Sequence, residues 1–364
     1  MDGFAFMSKI MDYRKLLSDT FIKSNQAEKV TEDYLIINTS RNHQLLPQGE
    51  LLNSVIVDRQ QLTRVLEILN QNSDKIKYIV TDIFLEEEDG INDEALSKVI
   101  TELDRKNKIV LACYYNTEGE YVGPFIDATA GLAQYKSSFL KISFLKLSYI
   151  KKDKPKNIAL IAYEQSEGKK MDKKRFIGIP YYAIDGHWCL NTVIPAFFYK
   201  PSDMFEDESY VHLGYFNEFN IGDGQVVIIG DLEGLRDTHG SIINKVSGPL
   251  IILNSIEMLR RGKNIINFWY LVLLLVMFSI ITYHTFYRKR IKELRRGKER
   301  KIKLFEMVYK NLNYLIILLL SLLSMLVFNF YIHLFILLSY IGLIDYITVK
   351  LLKKPSDNLL ERIK

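Results

Sequence analysis

Five continuous runs of β-branched and aliphatic residues punctuate the first 231 positions: YLIINTS (34–40), KYIVTDIFL (77–85), KIVLACYYN (108–116), NIALIAYE (157–164) and QVVIIGD (225–231). Unbroken runs of this length predict strands covered on both faces. Two intervening stretches carry the helical period instead. RQQLTRVLEILNQ (59–71) places Leu62, Val65, Leu66 and Leu69 on one stripe, and DEALSKVITELDRK (93–106) does the same with Leu96, Val99, Ile100 and Leu103. Such alternation predicts βαβ units and an α/β fold with a mainly parallel, mixed sheet. The middle is less regular. KKDKPK (151–156) and KKMDKKR (169–175) read as solvated loops around a strand, and FFYKPSDMFEDESY (197–210) as an excursion over the sheet.

Beyond residue 262 the pattern changes. Ile265–Tyr287 is a 23-residue stretch whose core, FWYLVLLLVMFSIIT, holds no charge, enough to cross a hydrocarbon layer of about 30 Å. Trp269 and Tyr270 at one end, and Tyr283 and Tyr287 at the other, suit the two interfaces. A second apolar block covers Asn313–Leu352. As one helix it would run roughly 60 Å, about twice the bilayer core. Two passes, 313–330 and 332–351, are therefore expected, with one long kinked helix as the alternative.

Charge assigns the sides. The net charge of +5 is too mild to imply a nucleic-acid partner. Its distribution matters more: RKRIKELRRGKERKIK (288–303) holds ten basic and two acidic residues, and loops of this kind stay in the cytoplasm. The loop 288–312 and the tail 352–364 are then inside, and residues 31–262 form an extracytoplasmic domain. Residues 1–30 contain no apolar stretch long enough for a signal peptide or first span, so the expectation is a helix upstream of this sequence.

VVIIGDLEGLRDTHG (226–240) sets Asp231, Glu233, Asp237 and His239 just past a strand. Its glycines do not fit a dinucleotide fingerprint, and no Walker loop is present. Asp237 and His239 lie two apart, on one face of an extended segment, but two ligands do not make a metal site; no metal and no cofactor are expected. Asp82 falls within an apolar strand, where an ionised carboxylate needs a partner. Asp93 suits the start of the second helix, and Asp58 with Arg59 the start of the first. Cys113 and Cys189 are the only cysteines; a disulfide is compatible with an outside location, but a buried Cys113 thiol is favoured. His187 reads as a structural neighbour of Trp188. No catalytic set emerges, and an enzyme is not expected.

Taken in order, DRQQLTRVLEIL, YIVTDIFL, NDEALSKVI, KIVLA and QVVIIGDLEGLRDTHGSIINKVSGPLIILNSIEMLRRG resemble the second type of CHASE domain, an extracytoplasmic sensory module of bacterial signalling proteins. By position Asp82, Asp93, Gly230, Asp237, Pro249 and Asn254 match that family. Asp82, Asp93, Asp237 and Asn254, with His239, make up the ligand- or loop-organising candidates, while Gly230, Pro249 and Gly262 are structural, Gly262 as a helix C-cap. The resemblance implies one span before the domain and three after it, but many relatives carry an output domain that this sequence lacks. The expected function is a receptor-like membrane module that signals through a separate cytoplasmic effector. A docking subunit of an envelope complex is the alternative, and an extracytoplasmic hydrolase using residues 231–239 a third. The bilayer, an outside ligand or protein, and self-association are the compatible partners.

Overall fold

In the computed structural model, residues 32–48, 52–88, 90, 92–137, 143–149, 154–176, 179–193, 209–233, 238–240 and 245–294 are described, with shorter stretches between 316 and 350. The chain divides into two compact units, meeting at Ile265 and Ile266.

The first unit starts with β1 (Tyr34–Asn38), a hairpin of β2 (His43–Gln48) and β3 (Leu52–Val57), α1 (Arg59–Gln71), β4 (Ile76–Asp82) and α2 (Asp93–Arg105). There follow β5 (Ile109–Tyr115), β6 (Tyr121–Val122), β7 (Ala130–Leu132), β8 (Lys136–Ser137), β9 (Ser143–Lys146) and α3 (Ile158–Glu167). A meander of β10 (Met171–Phe176), β11 (Ile179–Ile184) and β12 (His187–Cys189) leads to β13 (Thr192–Val193). The last elements are β14 (Tyr210–His212), β15 (Gln225–Gly230), β16 (Thr238–Gly240), β17 (Lys245–Ser247) and α4 (Gly248–Arg260).

Strands β14-β1-β15-β4-β5 lie side by side in that order and all parallel, and β7 extends the parallel pairing from β5. Only β6, antiparallel to the end of β5, makes the sheet mixed. Alternate residues feed two cores. Leu35, Ile37, Ile79, Val227 and Ile229 pack with α1 and α2, whereas Tyr34, Ile36, Tyr78, Val80, Val226 and Ile228 pack with α3 and α4. Burial on both faces explains why these strands read as unbroken apolar runs rather than alternating ones.

Two sequence expectations are corrected. NIALIAYE is not a strand but α3: Asn157 caps it by accepting from Ala159 N at 3.0 Å, and Gly168 ends it with φ of 66°. Ile158, Ala159, Leu160, Ala162 and Tyr163 are all buried, because α3 is covered by the sheet and by α4 as well. A helix covered on several sides shows no stripe. KKMDKKR is likewise no loop, since most of it is β10, paired along its length with β11.

Helix α4 ends in a paired closure. Gly262, at φ 62°, donates its N–H to Leu259 O at 3.0 Å, and Lys263 N donates to Met258 O at 2.9 Å, the two bonds of a Schellman motif. The chain is then stitched to the meander: Cys189 bridges Ile265, and Leu190 N donates to Asn264 O at 2.9 Å.

Cys113 and Cys189 are buried free thiols, so neither pairs with the other. Burial pushes the Cys113 thiol up from 9.0 to about 11, against a hydrogen bond with Tyr121, and the Cys189 thiol up to about 12. A raised folded-state pKa contributes stability that is complete below the ordinary thiol value and lost as pH rises through the folded one. The denaturant midpoint is therefore expected to fall as pH is raised from 9 towards 11. An aromatic disulfide reagent should label neither thiol before unfolding; rapid labelling of the native chain would contradict this burial.

In the second unit, α5 (Phe268–Leu294) contains the one described helix long and apolar enough to cross a membrane, Phe268–Tyr287. It runs seven residues beyond that stretch, into the basic segment expected as loop; residues 295–303 lie outside the described ones. Ser324 Oγ donates to Tyr270 Oη at 3.0 Å and the Phe328 ring lies tilted 5.2 Å from that of Tyr270, while Ile317 and Leu320 share a cluster with Met277 and Ile281. Tyr340 returns to the middle of α5, with its ring 4.6 Å from Phe278 and its hydroxyl 2.6 Å from Thr282.

Candidate functional site

At the carboxyl edge of the sheet four strand ends stand in a row. His212 of β14 is opposite Asn38 of β1, Asn38 is opposite Gly230 of β15, and Gly230 is opposite Asp82 of β4. The connections leaving β1 and β4 lead to α1 and α2 on one face, whereas the one leaving β15 leads to α4 on the other. In open α/β sheets ligands bind outside the carboxyl ends where such a switch occurs.

Gly230 sets the spacing of this edge. A Cβ there would lie 2.4 Å from Pro249 Cγ and 3.2 Å from Asp82 Cβ. The first turn of α4 therefore packs directly on the end of β15, beside Asp82. The resemblance names Asp82, Gly230 and Pro249, and the fold brings these three together. Asn254, fully buried one turn further along α4, donates to Leu250 O at 2.9 Å.

Asn38, also fully buried, joins the row to the loops. Its Oδ1 accepts from Ser40 N at 3.1 Å and from Leu232 N at 3.0 Å. Two N–H donors on that side fix the amide orientation, so Nδ2 points to Ser40 Oγ at 2.8 Å, to the Tyr210 hydroxyl, and to His212 Nδ1 at 3.4 Å. Tyr210 in turn donates to Glu233 Oε1 at 2.8 Å. His212 Nε2 is 3.7 Å from the same oxygen, and Arg41 is 3.4 Å from Oε2. Burial raises the Tyr210 hydroxyl, and its bond to Glu233 adds to the shift. Partial burial opposes ionisation of Glu233, yet Tyr210, Arg41 and His212 outweigh it and hold the carboxyl below its usual range. The result is an ionised carboxylate held by two donors, Tyr210 and Arg41, with the His212 ring beside it, on a hydrogen-bonded base.

A second cluster holds the loop that follows β4. Asp58 caps α1, accepting from Gln61 N at 3.0 Å. Next to it Arg59 is fully buried, donates to Glu87 O at 2.9 Å, and lies 5.6 Å from the Phe125 ring centroid. A cation at a helix N-terminus opposes the helix dipole; here it fastens the acidic loop after β4. Asp93 is the first residue of α2, behind Asn92 in the cap position, and its Oδ2 accepts from Gly90 N at 2.9 Å, so it braces that loop from the other side.

Asp237 lies outside the described residues. His239 sits in β16, paired with Val246 of β17. Among the described residues no group of three His, Cys, Asp or Glu side chains could hold a metal ion. His187 is exposed in β12. Sequence reasoning missed Asn38, Arg41, Tyr210 and His212. Comparison with family models, curated proteins and solved structures found no match for this chain.

Proposed function

We propose that the chain is a membrane-anchored sensory module of the cell envelope, with its α/β unit outside and a polar recognition edge at the carboxyl ends of β14, β1, β15 and β4. The supporting observation is the course of α4. Its first turn packs on Gly230 at that edge, and its last turn is clamped at the opposite end of the sheet, next to the segment leading to α5. Thirteen residues make a rod of about 20 Å between the two.

Occupancy of the edge acts through the Tyr210–Glu233–His212 group. A small polar ligand, or a polar side chain of a partner, that takes Glu233 as acceptor releases Tyr210 and loosens Asn38 from the turn at Leu232. That turn leads into the segment ending at Pro249, so α4 is the element that shifts. The shift passes through the closed helix end at Gly262 into the apolar helix, and from there to a partner protein.

Topology is tested by reporter fusions after residue 150 and after residue 295. Alkaline phosphatase should be active at the first and inactive at the second, with a fluorescent-protein reporter giving the opposite pattern. Phosphatase activity at 295 alone would overturn the reading. A Gly/Ser insertion after Gly262 should uncouple domain from output, and unchanged output would remove α4 as the coupling element.

A further inference from the structure

We propose that the recognition edge also reads external pH: a proton taken up by His212 turns its ring towards Glu233, displaces Tyr210 and works the edge as an occupant would. The inference deepens the reading above and rests on it, with the proton in the place of the ligand.

Three observations carry it. The first is position. His212 ends β14 opposite Asn38, and with 16% of its side chain exposed it is shielded yet within reach of solvent protons. Imidazole is the side chain that ordinarily changes charge between pH 5 and 8.

The second is the pair of neighbours on its two nitrogens. Nδ1 lies 3.4 Å from Asn38 Nδ2, an NH2 group that can only donate. Its two hydrogens also serve Ser40 Oγ and the Tyr210 hydroxyl, so Nδ1 receives the weakest share. A hydrogen on Nδ1 would still meet a donor. The neutral ring therefore carries its hydrogen on Nε2, 3.7 Å from Glu233 Oε1. A second proton must go to Nδ1, where Asn38 repels it, while the new charge is drawn to Glu233. Both forces turn the ring the same way.

The third is competition for one oxygen. Tyr210 donates to the same Oε1 at 2.8 Å, so an imidazolium closing on that oxygen weakens the Tyr210 bond. Tyr210 also accepts from Asn38, whose Oδ1 holds the turn at Leu232. Against partial burial, the bond to Tyr210 and the charges of Arg41 and His212 hold Glu233 below its usual range, so it stays ionised across this window. Arg41 sits on the other oxygen, and Arg64 of α1 directs its guanidinium to the carbonyls of Leu213, Gly214 and Phe216. Both oppose a further positive charge, which leaves Glu233 as its counterion. The Tyr210 and Tyr215 rings flank the imidazole edge-on at 5.4 and 6.5 Å.

For the test, the full chain is labelled with nitrogen-15 in the rings of its six histidines, and His212→Gln identifies the His212 signals. These should show a bare Nδ1 and a protonated Nε2 at pH 8, and two protonated nitrogens at pH 5. Glu233→Gln should move the midpoint down by about 1 pH unit. Hydrogen exchange of the peptide holding Leu232, corrected for the intrinsic rate, should be roughly fivefold faster at pH 5 than at pH 8, the loss of about one hydrogen bond. His212→Gln should abolish that difference. An Nδ1–H tautomer at pH 8, a midpoint that Glu233→Gln leaves in place, or exchange at Leu232 that ignores pH would each overturn the switch. Phosphatase fusions that place the unit inside would instead overturn the reading on which it rests, and leave the tautomer and the midpoint as measured.

Discussion

Gly230→Ala should destabilise the first unit by about 1–3 kcal/mol, the usual range for forcing a methyl into a packed site. The new Cβ would sit 2.4 Å from Pro249 Cγ, on a ring that cannot rotate away. For a unit of this size the melting temperature should fall by about 2–4 °C per kcal/mol. The contact names its own remedy. Pro249→Ala removes the Cγ, so Gly230→Ala/Pro249→Ala should recover part of the loss, giving a double-mutant coupling of opposite sign to the single effects. Additive losses would mean that Gly230 matters for some reason other than the approach of α4. Gly131→Ala offers a contrast: its Cβ would meet the Ile158 backbone at 2.7 Å, and no side-chain truncation relieves that.

A comparable loss is expected at the other end of the same helix. Arg260 lies 3.1 Å from Asp33, 3.0 Å from Glu167 and 3.6 Å from Glu257, and donates to the Tyr34 hydroxyl at 3.3 Å. Tyr34 itself donates to Glu257 at 2.8 Å. Arg260→Met leaves those carboxylates facing one another around a buried hydroxyl. Breaking a buried pair from one side is costly, and a discount for the partly exposed members gives about 2–4 kcal/mol. Glu257 keeps Arg261 at 2.6 Å, whereas Glu167 loses the guanidinium 3.0 Å away. Chemical denaturation with and without Glu167→Gln checks the cause: the neutral amide should recover part of the loss in the Arg260→Met background and not in the unaltered chain. Burial and Glu257 both hold the Tyr34 hydroxyl well above its ordinary value, so this contribution is complete below that value and lost in strong alkali.

The outer layers and most of the central strands were legible because their signals were local. Leu62, Val65, Leu66 and Leu69 mark α1 by spacing alone, and all four are buried. Strand ends were legible where a polar residue or glycine closes an apolar run, as Asp82 and Gly230 do. Asn38 closes YLIIN in the same manner, but an Asn before Thr39 and Ser40 reads equally as a turn. Its importance comes from Leu232, Tyr210 and His212, partners about 170 to 195 positions away. Three-residue β14 has too little pattern to announce an edge strand, so Tyr210 and His212 carried no signal. The same limit hid α3, whose continuous burial erased the period that would have distinguished it from a strand.

The order in which the sheet is completed has a consequence for biosynthesis. β15 is the last strand of the sheet to leave the ribosome, yet it lies between β1 and β4, the first two to be made. Until residue 230 is available, those two early strands expose unpaired backbone edges and have no common neighbour. The nascent chain must wait in an unfinished, adhesive state, and it closes in one late step. The apolar helix beginning at Phe268 emerges soon after that step, so closure of the sheet and release of that helix fall almost together in time.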